Sequence, residues 1–316
     1  MVSGNCGYEN KNLLEGFIIE QTAPMQLSYL NERGMINFNL DSNHKLNVKL
    51  ISSLNVQEIN EDYIICTDAW DEIRGLPTIF SLFFSLLLLP FLLFLFVILV
   101  MMIFDSWDSF FSEFIIFLIF LISCVGGGYF LYKIFTISFK REIFGYTHYP
   151  LIFNRKKQEL HYFEPYRKEW ISAPWKDYNF SITMNEDRDY IVNASILDYN
   201  RVVQKGIIFP FRLNNKDLVV GHWEFFRRYM AGESLEKLTP FILIFAPNRS
   251  RKETASEIWG RIKLLRFSTI NYLTNEIMLP SNFNLNLIFF GIPQFLARRL
   301  CVKTSKIPNI SKDFLE

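Results

Sequence analysis

From Gly75 to Phe104 the chain runs thirty positions without a charged residue, and from Phe114 to Tyr132 a further nineteen. The hydrocarbon core of a bilayer is about 30 Å thick and takes roughly 20 apolar residues of helix to cross, so each run is long enough to span. A helix at the surface of a soluble core keeps a polar face, and the stretch "LFFSLLLLPFLLFLFVILVMMIF" has none. The same stretch is too long, and too far from Met1, for a signal peptide, whose apolar part falls within roughly the first 30 residues. Two membrane-spanning helices are therefore expected, over about 76–104 and 114–135.

Between the runs lies "DSWDSFFSE", Asp105 to Glu113, with three acids and no Lys or Arg. So short a link joins two antiparallel helices in a hairpin. Arg74 precedes the first run, and Lys133, Lys140 and Arg141 follow the second. Lys and Arg near span ends are retained on the cytoplasmic side, which places the acidic loop outside and both termini in the cytoplasm. Trp107, Phe110 and Phe111 fit an aromatic belt at the outer interface.

The formal net charge of +1 conceals an uneven distribution: residues 1–76 carry five Lys or Arg against eleven Asp or Glu, and residues 140–316 carry twenty-seven against eighteen. A basic cytoplasmic flank tethered at an anionic leaflet is drawn toward it by about 1 kcal/mol per nearby basic side chain. No nucleic-acid-reading motif accompanies that charge, and no nucleic-acid partner is expected. Cys6, Cys66, Cys124 and Cys301 are scattered, without the spacing of a zinc site or a disulfide framework. The sequence has no GxSxG, P-loop, HExxH or GxGxxG pattern, and neither apolar run holds an internal acid or base of the kind a pump or proton relay needs. The expectation is a protein that is not an enzyme, with no catalytic residues, no cofactor and no metal.

The flanks are written in strands and turns. "MQLSYLNERGMINFNL" reads as strand, turn and strand, "HKLNVKLI" alternates like a half-buried strand, and a short strand covers Tyr63 to Cys66. After the hairpin, "YPLIFN" and "ELHYFE" flank a turn at Asn154 to Lys157, "YNFSITM" and "YIVNASILDY" flank "NEDRD", and "GIIFPFRL" follows. A helix comes next, with Asp217 as its cap, Leu218, Trp223, Phe226 and Met230 as its apolar stripe and Gly232 as its stop. A second helix starts at the capping box of Thr254 and Glu257, with Ile258, Ile262, Leu265, Tyr272 and Leu273 on its buried side. "NLNLIFFGIP" reads as a further strand or buried turn, too short to span. The fold class expected is an α+β membrane protein. Its two-helix transmembrane hairpin (76–139) is inserted in or attached to a cytoplasmic antiparallel β-rich domain, pleckstrin-homology-like in outline, built from 1–75 and 140–316 and carrying C-terminal amphipathic helices.

Four stretches in this order carry a resemblance: "DAWDEIRG" ahead of the first span, "YPLIFNRKKQELHYF" after the second, "APW" at Ala173 to Trp175, and "HWEFFRRYMAGE" at His222 to Glu233. Together they resemble an uncharacterised family of two-span bacterial inner-membrane proteins often encoded beside type VI secretion effector genes. The resemblance covers roughly Tyr63 to Glu233. It implies an inner-membrane setting and a cognate protein toxin or effector as partner, with an immunity protein as one role and an effector-handling accessory or scaffold as another. A membrane-tethered lipid-sensing module is a third reading. Trp and Arg side chains are the usual anchors of tight interfaces, so Trp70, Arg74, Arg155, Trp170, Trp175, Arg227 and Arg228 are the candidate partner-binding residues. The polar turn Asn185 to Asp189 is a further candidate.

Overall fold

A computed structural model of the chain describes residues 25–26, 38–52, 55–68, 70–105, 110–138, 142–164, 168–184, 189–197, 199, 202–238, 250–264, 269–271, 276–278 and 287–316. The strands in chain order are β1 (Met25–Gln26), β2 (Phe38–Leu40), β3 (Val56–Ile59), β4 (Tyr63–Thr67), β5 (Pro150–Asn154), β6 (Glu159–Glu164), β7 (Glu169–Pro174), β8 (Tyr178–Met184), β9 (Tyr190–Leu197), β10 (Val202–Leu213), β11 (Thr269–Asn271) and β12 (Glu276–Met278). The α-helices are α1 (Trp70–Ile73), α2 (Leu76–Asp105), α3 (Phe110–Ser138), α4 (Lys216–Met230), α5 (Leu235–Leu238), α6 (Ala255–Ile262) and α7 (Ile292–Thr304). Two compact units result, one from Met1–Ile73, His148–Phe283 and Ile307–Glu316, the other from Arg74–Thr147 and Asn284–Lys306.

The first unit is β-rich. One antiparallel sheet runs β3-β4-β5-β6-β7, and a second runs β1-β10-β9-β8-β2. Strand β4 ends at Thr67 and its neighbour β5 begins at Pro150, with Ile65 opposite Ile152 and Cys66 opposite Leu151. The segments before and after the long helices therefore pair in one sheet. Every residue of β5 is buried, which matches the apolar run Pro150 to Phe153: a central strand covered on both faces loses the polar alternation of a half-exposed one. At the β5–β6 turn, Asn154 Oδ1 accepts the Lys157 N–H at 2.7 Å, the local bond that makes Asn a turn former. Pro210 cannot donate to the β9–β10 ladder, and the register shifts between Ile208 and Arg212.

Helix α4 closes the core between the sheets. Its Trp223 stacks on Trp175 at 5.5 Å between ring centroids, and its Phe226 stacks on Phe153 at 4.2 Å. The side chain of Asn215, rather than Asp217 as expected, caps the helix by accepting from the Asp217 and Leu218 N–H groups. Asp217 occupies the first turn instead. Gly232, at φ +87°, ends the helical run as expected. The capping box of Thr254 and Glu257 on α6 is formed, and Ile258 and Ile262 are buried. That helix stops at Ile262; Leu265, Tyr272 and Leu273 lie outside the described residues, and β11 and β12 pair beyond it.

Two strand expectations change. β1 and β2 form no hairpin with each other: β1 pairs with β10 and β2 with β8, at opposite edges of the sheet. Residues 44–51, despite their alternation, are not a strand, because they pack on α4 rather than on a ladder, with the Ile51 N–H donating to the Gly221 carbonyl at 3.3 Å.

The second unit is helical. Helices α2 and α3 lie antiparallel, Phe84 meeting Phe130 edge-on at 6.1 Å while Leu92 faces Gly127. Of the glycine triplet only Gly127 faces α2; a side chain at Gly126 or Gly128 would meet open space. The hydroxyls of Ser81, Ser123 and Thr136 donate to carbonyls one turn back, at 2.8, 2.8 and 2.7 Å. These three hydroxyls are thus satisfied within their own helices. Among the described residues, the helical stretch Trp70–Ile98 is long and apolar enough to cross a membrane. Residues 287–291, expected as a strand or buried turn, are a π-helical turn running into α7. Pro293 lacks the N–H that would bond to the Phe289 carbonyl, and its ring would crowd that carbonyl, so the turn widens.

Candidate functional site: an apolar surface, a clamp and the expected anchors

The side chains expected as partner anchors are mostly committed inside the protein. In the β-rich unit Trp70 is buried in α1, next to Asp71, whose carboxylate meets Arg261 at 3.2 Å; Arg261 in turn meets Glu253 at 2.8 Å. Trp175 belongs to the core, against Trp223 and Phe180. Trp170 is half-buried between Phe163 at 5.4 Å and Phe314 at 4.6 Å, where the turn Lys312–Phe314 covers the sheet. Arg155 lies over the Tyr229 ring at 5.4 Å and meets Glu61 at 3.1 Å. Glu224, fully buried, accepts from Arg227 at 2.7 and 2.8 Å and from Arg228 at 2.7 Å. Arg228 donates as well to the Leu46 carbonyl at 2.9 Å. In the helical unit Arg74 is buried and donates to the Tyr146 carbonyl at 2.7 Å. Asn185 to Arg188 lie outside the described residues. Trp and Arg are as useful for filling a core and neutralising a buried carboxylate as for gripping a partner, and composition does not separate the two uses.

Three titratable groups in the β-rich unit are held away from water. The His222 Nδ1 lies 3.3 Å from the Ile51 carbonyl, to which it donates, and burial pulls its pKa down to about 3. Burial with the Lys157 charge nearby pulls His161 down to about 4, its Nδ1 lying 2.8 Å from the Ser172 hydroxyl. Burial pushes Glu72 up to about 7, opposed by the hydrogen bond from Asn55. These groups stand in separate packed settings, each explained by its own neighbours.

Exposed apolar area is concentrated in the helical unit. Among the described residues, Tyr199 and Ile307 are the only large exposed hydrophobic side chains of the β-rich unit. On α2 and α3, by contrast, exposed apolar side chains recur along both helices, and Leu86, Phe94, Ile122, Val125 and Tyr132 are each more than half exposed. A soluble monomer rarely shows a contiguous apolar patch beyond a few hundred Å², and such a surface marks a membrane or a partner.

The foot of α2 holds a polar clamp that the sequence reading missed. The Glu142 carboxylate, fully buried, accepts the Gly75 N–H at 2.8 Å, the Thr78 N–H at 3.0 Å and the Thr78 hydroxyl at 2.5 Å. Burial raises the pKa of Glu142 against those hydrogen bonds and the Arg74 charge. Thr78 also lies 3.4 Å from the Cys301 sulfur, and burial with the Glu142 charge pushes the Cys301 thiol up to about 12. The Ser305 hydroxyl donates to the Glu142 carbonyl at 2.7 Å, and the Thr147 N–H to the Lys306 carbonyl at 2.8 Å. A signal for this clamp was present: the first turn of α2 has no acid and no capping side chain, so its free N–H groups required an acceptor from elsewhere.

Compared with protein family models, curated proteins and solved structures, the chain matches none.

Proposed function

We propose that this chain is a two-span inner-membrane protein with both termini in the cytoplasm, whose β-rich unit binds a protein partner there rather than catalysing a reaction. The observation that carries the membrane part is the exposed apolar surface of α2 and α3, set against a β-rich unit whose large hydrophobic side chains are, among the described residues, almost all inside. The sharper form of the proposal, supported by the family resemblance alone, is that the partner is a co-encoded type VI secretion toxin and that the chain is its immunity protein. Co-expression of the neighbouring effector with and without this chain tests it: survival that depends on this chain is expected. Unchanged survival, with effector secretion falling when the gene is deleted, would replace immunity with an accessory role.

One observation favours a second reading. Two consecutive antiparallel meanders are followed by a single helix, α4, that closes the core. In outline that is the order of a pleckstrin-homology-like module and supports lipid sensing. Selective binding of the solubilised protein to one headgroup class would favour this reading over a protein partner.

A further inference from the structure

We infer that the segment from Leu287 to Thr304 is a third membrane contact, an interfacial helix lying in the headgroup boundary at the foot of α2. This rests on the reading that α2 and α3 span the bilayer. The two faces of α7 differ sharply. Gln294, Ala297, Arg298, Cys301 and Val302 recur at helical spacing and are buried. Ile292, Leu296 and Leu300, at every fourth position, are exposed on the opposite side, and the preceding turn adds Phe289 and Phe290, which are 68% and 65% exposed. Arg299 and Lys303 are exposed on that same outer face.

The level at which α7 sits is fixed by contacts inside its own unit. Gly75, at φ +88°, brings the chain so close to α7 that a Cβ there would stand 2.8 Å from the Arg298 backbone nitrogen. Cys301 touches Thr78, and Ser305 bonds to Glu142. All three contacts hold α7 against the first turn of α2, and Phe80, one turn further on, is already half exposed at the start of the apolar surface. If that surface is in hydrocarbon, α7 lies at the level where it begins, with an apolar face left open on the side away from α2. An amphipathic helix there buries its apolar face about 5–10 Å deep, and Lys and Arg stems reach past it to the headgroups. Arg299 and Lys303 suit an anionic cytoplasmic leaflet, the side on which Arg74 and Lys133 place this end of the hairpin. A second copy of the chain is the competing occupant, but the level of α7 beside the start of the apolar surface and its basic rim favour lipid.

The test uses the full chain in vesicles of phosphatidylcholine and phosphatidylglycerol, with a fluorescent amino acid placed singly at Leu296, Phe94 or Tyr199. Lipids brominated near the headgroup end of the acyl chain should quench the probe at Leu296 more than lipids brominated near the chain end. The probe at Phe94 should show the reverse order, and the probe at Tyr199 should lose nothing. Quenching at Phe94 with none at Leu296 overturns the interfacial helix and leaves the spanning hairpin standing. Quenching at neither overturns both. A probe at Leu296 that escapes lipid quenching but shifts its emission as the protein-to-lipid ratio rises assigns the face to a second copy and overturns the inference.

Discussion

Glu142 and Thr78 are joined twice: the carboxylate accepts both the backbone N–H and the hydroxyl of the threonine, at 3.0 and 2.5 Å. The acid therefore works as a remote N-cap for α2, supplied by the segment that follows α3. Each buried donor left without an acceptor costs about 1–3 kcal/mol, so Glu142→Ala should lower the thermal midpoint of the detergent-solubilised chain by several degrees. Glu142→Gln, which keeps one carbonyl oxygen, should lose less. An unchanged midpoint in Glu142→Ala would remove the clamp from the account.

Gly221 lies in the middle of α4, where alanine is ordinarily the better helix former by about 1 kcal/mol. Here the order should reverse, because an added Cβ would stand 2.3 Å from the Lys49 carbonyl, and backbone on both sides resists the shift. Gly221→Ala is expected to destabilise the β-rich unit and to free residues 44–51 for proteolysis. A variant as stable and as protease-resistant as the wild type would show that this segment does not dock on α4.

Arg227 and Arg228 were expected to grip a partner, but both bind the buried Glu224. Removing one member of a buried charge network typically costs about 3–5 kcal/mol because the rest is left uncompensated. Arg227→Ala should therefore lose stability before it loses any binding, and Glu224→Gln should do the same. Wild-type stability combined with lost partner binding would return Arg227 to the interface.

Acid should weaken the β-rich unit through His222. Its folded pKa of about 3 lies below the ordinary 6.5, so the folded state binds fewer protons than the unfolded one between those values. That contribution is full above pH 6.5 and is lost as the pH falls toward 3. His161, at about 4, acts in the same sense, whereas Glu72, raised from 4.5 to about 7, acts oppositely and loses its contribution as the pH rises across that window. Replacing His222 by phenylalanine should flatten the decline in thermal midpoint between neutral and acid pH. An identical pH profile in wild type and His222→Phe would contradict the buried neutral imidazole.

The long apolar runs, the Asn154 turn, the Thr254 capping box and the Gly232 stop were legible in the sequence because each is decided by residues within a few positions of one another. The pairing of β1 with β10 and β2 with β8 was not, since a two-residue and a three-residue strand carry no mark of their partners. The alternation of residues 44–51 misled because a chain packed on a helix also turns alternate side chains inward. Trp175 packs on Trp223 and Arg227 binds Glu224, neither of which was legible, because nothing local says whether an aromatic or a guanidinium faces a partner or its own core. The Glu142 clamp needed the fold, because Gly75 and Glu142 meet only after two long helices have run out and back.

The central claim is a membrane-crossing hairpin that carries its β-rich unit on the cytoplasmic side, and the most direct measurement is labelling in intact cells with a membrane-impermeant maleimide. A single cysteine at Ser109, between the two long helices, should be labelled in intact cells. One at Tyr199, which is 94% exposed on the β-rich unit, should be labelled only after lysis. Labelling of Tyr199 in intact cells together with protection of Ser109, or protection of both positions until lysis, would contradict it.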